Sequence, residues 1–281
     1  MDLLEIENVL NKALKTKRDA INLSNTNMTI LPNSICKLTK MRKLYLNDNN
    51  LVMPVTEITS LLNLEELTLD NNKFTMLPSG LGNLEHLKYL SVCHNSLHIF
   101  TPEIGQLCRL THLWMVDCDF VSVPPEIGLL SNLETLSFRQ NLLNSLPPEF
   151  GKLSKLKWCC LSENRLNSLP EECSKLGNLV FLDLSKNCFD NIPECVTEIN
   201  CLLTLLMREN EINSMSDDTL LALANLTKLD MRDNGILEKP EHWKVRVMKY
   251  LGKFFNHHKP ITYCMSINVT SFYTITVHII N

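Results

Sequence analysis

The sequence predicts an α/β solenoid built from ten copies of one short unit. In its clearest copy, residues 133–155, apolar residues and one asparagine stand at fixed intervals before a Leu-Pro step. These are Leu133, Leu136, Phe138, Asn141 and Leu143. The position of Leu136 recurs at one constant interval from Ile21 to Leu205, and the last step, to Leu229, is longer by a single residue. A short period that is sustained in this way indicates one elongated array in which each unit packs on its neighbours.

Each unit predicts a short strand and a short return segment. The residues around Leu136 alternate between inward and outward positions, as in a strand, and successive strands are expected to form one parallel sheet. After Leu146-Pro147, the apolar spacing predicts a helical or 3-10 segment. Because the return segments are wider than the strands, we expect a right-handed, curved solenoid with the sheet on its concave face and the helical or 3-10 segments on its convex face.

An asparagine follows the strand in eight of the ten units, where the chain turns. Its amide can donate to and accept from backbone groups that the turn removes from a ladder. This predicted structural spine consists of Asn49, Asn72, Asn95, Asn141, Asn164, Asn187, Asn210 and Asn234. Thr26 and Cys118 occupy the position in the other two units, where each can donate one hydrogen and a slightly looser turn is expected.

The segments that flank the repeats have different patterns. Residues 1–19 carry four apolar residues at helical spacing, which predicts an N-terminal capping helix. The four are Leu3, Ile6, Leu10 and Leu14. The repeats occupy 20–240, and helical spacing in 241–258 predicts a C-terminal cap. The tail, 259–281, has no Asp, Glu, Lys or Arg after residue 260 and alternates like a strand, although an irregular tail fits equally well.

Composition and charge exclude several classes of protein. The net charge of −4 provides no positive field for a polyanion, so nucleic-acid binding is not expected. The N-terminus lacks the apolar core of a secretory signal, and no run of about 18 apolar residues predicts a membrane span. The 11 cysteines are odd in number and lack C-x-x-C spacing, which favours buried free thiols. We expect a monomer in the cytoplasm, with the nucleus as a second location, and not a secreted protein.

The unit L-x-x-L-x-L-x-x-N-x-L-x-x-L-P-x-x-I/F-G-x-L-x-x resembles the 23-residue class of intracellular leucine-rich repeats. This class includes the Ras suppressor, Shoc-2, erbin-type and plant intracellular Ras-group-related proteins. The resemblance covers roughly residues 20–240, although Gly235 stands where the family often has proline. It implies a non-enzymatic scaffold in signal transduction that binds a protein partner, such as a small GTPase or a phosphatase, on the concave face.

The outward strand positions are the only large ordered surface that the repeat framework leaves available. In the middle units this surface carries large aromatic residues beside an arginine, among smaller residues such as Ser91, Ser137 and Cys160. The predicted partner-binding residues are Tyr89, His112, Trp114, Arg139, Trp158 and Phe181. Exposed aromatic residues near an arginine are typical of interface hot spots. The aromatic residues alternatively only cover the sheet or pack on each other.

Other functions are weighed against this one. A structural or assembly factor for cytoskeletal or ciliary complexes would bind through the tail. A remote hydrolase hypothesis uses Cys93 or Cys160 as nucleophile and His94 or His112 as base, and a metal site would use the two histidines with Asp117. No oxyanion-hole element or glycine-rich phosphate loop accompanies these residues. The prediction is therefore a non-enzyme without catalytic residues, metal or cofactor.

Overall fold

The computed structural model describes residues 2–53 and 55–235. In this part of the chain, α1 (Leu3–Thr16) is followed by ten strands that form one parallel sheet in chain order. The strands are β1 (Ala20–Asn22), β2 (Lys43–Tyr45), β3 (Glu66–Thr68), β4 (Tyr89–Ser91), β5 (His112–Trp114), β6 (Thr135–Ser137), β7 (Trp158–Cys160), β8 (Phe181–Asp183), β9 (Thr204–Leu206) and β10 (Lys228–Asp230). Leu113 pairs with Leu136 at the interval of the repeat, and Leu205 pairs with Leu229 across the one longer step. The predicted fold class is confirmed.

Between strands the chain returns through short helices. The 3-10 helices are Asn33–Lys37, Thr56–Ser60, Leu81–Asn83, Pro102–Gln106, Pro125–Leu129, Pro148–Lys152 and Glu171–Lys175, and the α-helices are α2 (Glu194–Thr197) and α3 (Asp217–Ala222). The hydroxyl of Ser216 caps α3 by accepting a hydrogen bond from the Thr219 N–H at 3.1 Å. The return segment that is one residue longer than the others is thus α-helical.

Glycine allows the return segments of the middle units to stack closely. A Cβ atom on Gly128 would lie 2.5 Å from the carbonyl oxygen of Glu149 in the next unit, where it cannot be accommodated without a backbone shift. Gly105 and Gly151 make equivalent approaches to Glu126 and Glu172. The glycine of the I/F-G-x-L pattern is therefore required by contact between neighbouring units.

The apolar core runs without interruption through the described units. The inward residue at the centre of each strand is at most 5% exposed, from Ile21 in β1 to Leu229 in β10. The second inward position, occupied by Phe138 in the sixth unit, is also buried. Since each unit covers the core of the previous one, stability arises from contacts between neighbours.

Each spine asparagine joins its turn to the preceding unit. Asn141 Nδ2 donates to the carbonyl oxygens of Met115 at 2.8 Å and Phe138 at 2.9 Å, while its Oδ1 accepts from the N–H groups of Cys118 and Phe120 at 3.1 Å. The preceding residue, Gln140, has a φ of 58°, which places the chain in the left-handed region that forms the turn.

Cys118 makes weaker contacts at the same position. Its Sγ lies 3.3 Å from the carbonyl oxygen of Val92 and 3.5 Å from that of Val116. A thiol has one hydrogen and donates weakly, whereas an asparagine amide donates two.

The helix α1 covers the start of the core with a different stripe from the predicted one. Ile6, Leu10 and Ala13 are buried, whereas Leu3 and Leu14, both expected to pack inward, are 59% and 42% exposed. On an α-helix the latter two lie about 60–80° away from Ile6 around the axis, at the edge of the buried stripe. Asp2 and Glu5 form a capping box at its N-terminus.

The predicted C-terminal cap at 241–258 and the tail at 259–281 lie outside the described residues. Within the described part of the chain, no helix combines the length and the apolar character that crossing a bilayer requires.

Candidate functional site

The parallel register aligns the outward side chains of the ten strands in columns. We call this surface, which also includes the outward residues that directly follow each strand, the sheet face. In its first column, Tyr89, His112, Thr135, Trp158 and Phe181 occupy successive strands from β4 to β8. A single small residue, Thr135, therefore interrupts a row of rings.

The rings contact one another across the strands. We call Tyr89, His112, Trp114, Trp158 and Phe181 the aromatic cluster. The ring centroids of Tyr89 and His112 are 5.9 Å apart, and those of Trp158 and Phe181 are 5.2 Å apart with an interplanar angle of 7°. Such separations are typical of attractive aromatic pairs.

Trp114 bridges the interruption at Thr135. It lies on β5 and Trp158 on β7, two strand spacings or about 9.6 Å apart, yet their ring centroids are 5.3 Å apart. The strand between them, β6, presents only Thr135 and Ser137, which are small enough for both rings to lean over it. The tryptophans consequently form one surface that continues through Trp158 to Phe181.

The cluster covers part of the sheet that the sequence analysis expected to be accessible. Ser91, Ser137 and Cys160 point outward from their strands but are only 2–4% exposed. The expectation that these positions belong to the open surface is wrong, because small side chains between large aromatic neighbours are shielded from solvent. The accessible surface consists of the rings and of the longer polar side chains around them.

Two donors on the sheet face have no hydrogen-bond partner among the described residues. They are the indole Nε1 of Trp114 and the hydroxyl of Thr68, both shielded from solvent. A buried donor without an acceptor costs about 1–3 kcal/mol. The Trp114 ring is thus held where packing against Trp158 takes precedence over hydrogen bonding.

Arg139 lies beside the cluster but is paired within the chain. Its Nε and Nη2 are 2.9 and 2.7 Å from Glu163 Oε1, and about half of its side chain is exposed. The structure thus places this predicted site residue on the sheet face, with its charge balanced by a neighbour.

A partly buried carboxylate, that of Asp70, adjoins the other end of the cluster. Asp70 Oδ1 accepts hydrogen bonds from Ser91 Oγ at 2.6 Å and from the Cys93 N–H at 2.7 Å. Burial raises the pKa of Asp70 above its usual range despite these bonds.

Two rings of the cluster are neutral. Burial, together with the nearby Asp70 carboxylate, raises the pKa of Tyr89, which therefore stays neutral. Burial lowers the pKa of His112, which favours the neutral imidazole.

The proposed nucleophiles are poorly suited to catalysis. Burial and a neighbouring aspartate, Asp70 for Cys93 and Asp183 for Cys160, raise both thiol pKa values to about 12. A thiol needs a lowered pKa to act as a nucleophile near neutral pH. His94 Nδ1 lies 3.0 Å from Asp117 Oδ2 and is engaged there. The geometry thus gives no support to the Cys/His hydrolase hypothesis.

The metal hypothesis finds no geometric support either. In residues 2–53 and 55–235, no three side chains of the His, Cys, Asp or Glu type converge as ligands would.

Sequence reasoning missed Asp70 and Asp183 as members of the site. Asp183 follows Phe181 on β8, where its Oδ1 accepts from the Ser185 N–H at 2.9 Å and its Oδ2 lies 3.6 Å from Cys160 Sγ. The alignment of the repeats contained a usable signal, because it places both carboxylates at outward positions, with Asp183 two residues after Phe181.

Comparison with known proteins agrees with this architecture. The leucine rich repeat family matches residues 131–189 and residues 63–84. A solved leucine-rich repeat protein from Leptospira interrogans is 30% identical over 86% of this chain and 72% of that chain, with a TM-score of 0.53. No curated protein sequence gives a significant match.

Larger receptors also contain this fold. The plant peptide hormone receptor RGFR1, solved in complex with RGF2, is 29% identical over 73% of this chain, with a TM-score of 0.65. TLR13, solved in complex with ssRNA13, is 26% identical over 79% of this chain, with a TM-score of 0.69. The chain spans about a third of each receptor chain, 34% and 33%. On its repeats, its strand register and these similarities, the chain belongs to the leucine-rich repeat family.

Proposed function

We propose that the chain is a non-catalytic scaffold that binds a protein partner on the aromatic cluster of its sheet face. Stacked repeats provide an extended surface on a rigid framework, and the leucine-rich repeat fold in general serves protein–protein interaction. The observation that carries the proposal is the continuous ring surface formed by Trp114, Trp158 and Phe181.

The cluster has the chemistry of a binding hot spot. Tryptophan and tyrosine are over-represented among residues whose truncation costs about 2 kcal/mol or more of binding energy. The rings are already positioned by mutual contact, so little side-chain entropy is lost when a partner docks. The unpaired Nε1 of Trp114 is a donor that a partner's acceptor would satisfy after a small rotation of the ring.

The cellular context of this proposal rests on resemblance. The 23-residue unit is similar to that of intracellular signalling scaffolds, which favours a cytoplasmic protein whose partner is a small GTPase or a phosphatase. The structurally similar receptor RGFR1 is in complex with RGF2, and TLR13 with a single-stranded RNA, so similar repeats accept chemically different ligands. The side chains on the sheet face of this chain determine which chemical class of ligand it binds.

The proposal is tested with partners identified by proximity labelling of the full chain in cells. Each is purified, and its affinity is measured for the wild type and for the double variant Trp114→Ala with Trp158→Ala. Losing hot-spot contacts worth about 2 kcal/mol weakens binding by about 30-fold.

The matched control removes exposed apolar side chains that lie off the sheet face. Ile30 and Ile99 are 69% and 74% exposed, and Ile30→Ala with Ile99→Ala is expected to leave the affinity unchanged. A third variant without residues 259–281 tests the assembly-factor alternative. If only this deletion abolishes binding, the partner uses the tail and the proposed sheet-face site is wrong.

A further inference from the structure

We infer that the partner presents a cationic segment to the aromatic cluster, with arginine or lysine side chains seated between the rings and the carboxylates around them. This inference rests on the proposed function and specifies the chemistry of the partner. It follows from the charges that surround the cluster, from the position of Asp183 and from the distance between Asp183 and Asp70.

The charge of the sheet face is unbalanced only where the rings are. From β3 to β8 the outward positions carry five carboxylates and two permanent cations. These are Glu66, Asp70, Asp117, Glu163 and Asp183 against Arg139 and Lys186. Glu66 is paired with Lys43 of β2 and Glu163 with Arg139, which leaves three carboxylates against Lys186. Along β9 and β10 the charges balance, because Arg208, Lys228 and Arg232 face Glu209, Asp230 and Asp233. A partner with net positive charge is therefore attracted to the aromatic part of the face in particular.

Asp183 is the carboxylate best placed to bind a cationic side chain of the partner. Within the described part of the chain its hydrogen-bond donors are the Ser185 N–H and the Cys160 thiol, both neutral, and the cations of Arg139 and Lys228 attract it through longer-range charge interaction. On the same strand, Phe181 stacks against Trp158. Beyond Phe181 in the same column come Thr204 on β9 and Lys228 on β10. A guanidinium can stack on an aromatic face while it donates to a carboxylate, and so fits this corner.

Asp70 marks the other end of the surface. It follows β3, and its hydrogen-bond donors among the described residues, Ser91 Oγ and the Cys93 N–H, are neutral too. Five strand spacings separate β3 from β8, or about 24 Å. An extended peptide rises about 3.4 Å per residue, so about seven residues would separate two basic side chains that reach both carboxylates.

Single-stranded nucleic acid is the competing ligand, because bases also stack on aromatic side chains. Such binding depends on cations that neutralise the phosphates. Here the carboxylates outnumber the cations around the rings, and Arg139 is already bonded to Glu163. The charges therefore favour a basic peptide over an oligonucleotide.

The test is selection of a random nonapeptide phage library on the full chain, with a parallel selection on the double variant Trp114→Ala with Trp158→Ala. We expect the wild type to enrich peptides that carry arginine or lysine, often as two basic side chains near opposite ends of the peptide. Synthetic copies of the enriched peptides should bind more weakly at high salt. Asp183→Asn should weaken their binding about tenfold, whereas Asp190→Asn, an exposed carboxylate off the sheet face, should not.

The outcomes separate this inference from the proposed function. Enrichment of acidic or uncharged peptides that the double variant fails to bind would overturn the cationic partner and leave the aromatic site intact. Peptides that bind wild type and double variant equally, or no enrichment at all, would contradict the binding role of the cluster itself. A single-stranded oligonucleotide that binds the wild type but not the double variant would identify the competing ligand and refute the inference.

Discussion

The framework and the sheet face of this protein share the same ten strands but follow opposite rules. At the inward position of Leu136, the equivalent residues from β1 to β10 are apolar and at most 5% exposed. At the outward position next to it, the equivalent residues include Lys43, Glu66, Tyr89 and Trp158. Both positions lie in the same strands, and they differ in whether the side chain enters the core or faces outward.

This difference separates stability from recognition. A framework residue contacts the units before and after it, so its replacement acts on the core that all the units share. A residue of the sheet face contacts a few neighbours and solvent, so its replacement acts mainly on what can bind there. The variants below test whether framework residues determine stability and sheet-face residues determine binding, from the largest expected effect to the smallest.

Removal of a spine asparagine should have the largest effect. Asn141→Ala leaves the N–H groups of Cys118 and Phe120 and the carbonyl oxygen of Met115 without their partner, while the carbonyl oxygen of Phe138 keeps only its hydrogen bond from Asn164. We expect a loss of about 3 kcal/mol in the free energy of unfolding, measured by urea denaturation. Asn144→Ala, an exposed asparagine in the same unit, is the matched control and should change stability by less than about 0.5 kcal/mol. If both variants lost the same free energy of unfolding, the spine asparagine would stabilise the fold no more than an exposed asparagine does.

A methyl group between stacked return segments should have the next largest effect. Gly128→Ala places a Cβ 2.5 Å from the Glu149 carbonyl oxygen, and the neighbouring backbone must move. We expect a destabilisation of about 2 kcal/mol, seen as a lower Tm in calorimetry. At Gly177 the same substitution meets only the carbonyl oxygen of Lys175, at 3.9 Å, and should be nearly neutral. A neutral Gly128→Ala would show that the return segments adjust freely.

Restoration of the spine at Cys118 should stabilise the protein. Asparagine can donate two hydrogens to the carbonyl oxygens that the Cys118 thiol now approaches at 3.3 and 3.5 Å. Cys118→Asn should therefore raise the free energy of unfolding by about 1 kcal/mol. Cys188→Asn, at an exposed position, controls for the change of residue type and should be neutral. A destabilised Cys118→Asn would mean that the turn has adapted to the thiol.

The framework could be predicted from the sequence because it is periodic. The constant step from Ile21 to Leu205 determines which side chains are inward, and the pairing of Leu113 with Leu136 follows from the period alone. The buried stripe of α1 was predicted less well, since a single helix has no repeat against which Leu3 can be compared. Prediction succeeded where the same physical requirement recurs in every unit.

The sheet face was predicted only in outline. The alignment places Trp114 and Trp158 two strands apart, and nothing in the period shows that both rings lean over β6. The pairing of Arg139 with Glu163 and the burial of Ser137 likewise depend on side-chain rotamers chosen in three dimensions. These contacts are specific to one place in the array and have no second copy in the sequence.

Asp70 lies on the sheet face, but we expect its replacement to change stability as well as binding. Its folded-state pKa is raised by burial, so the folded protein binds a proton more readily than the unfolded chain. The ionised carboxylate therefore reduces stability at neutral pH, and this cost disappears as the pH falls through the raised pKa toward the usual value of 3.8. Asp70→Asn should increase stability at pH 7 by less than about 1 kcal/mol, and the difference from wild type should vanish in acid.

The measurement is urea denaturation of wild type, Asp70→Asn and Asp190→Asn between pH 7 and pH 3. Asp190 is exposed and should show no such difference. An amide at position 70 can still accept hydrogen bonds from Ser91 and Cys93, so a loss of stability at pH 7 would contradict the role assigned to burial. If Asp70→Asn is both more stable and weaker in binding basic peptides, the charge of Asp70 lowers the stability of the fold and strengthens binding. A carboxylate that destabilises its own protein and strengthens a contact with another molecule belongs to the binding surface by function as well as by position.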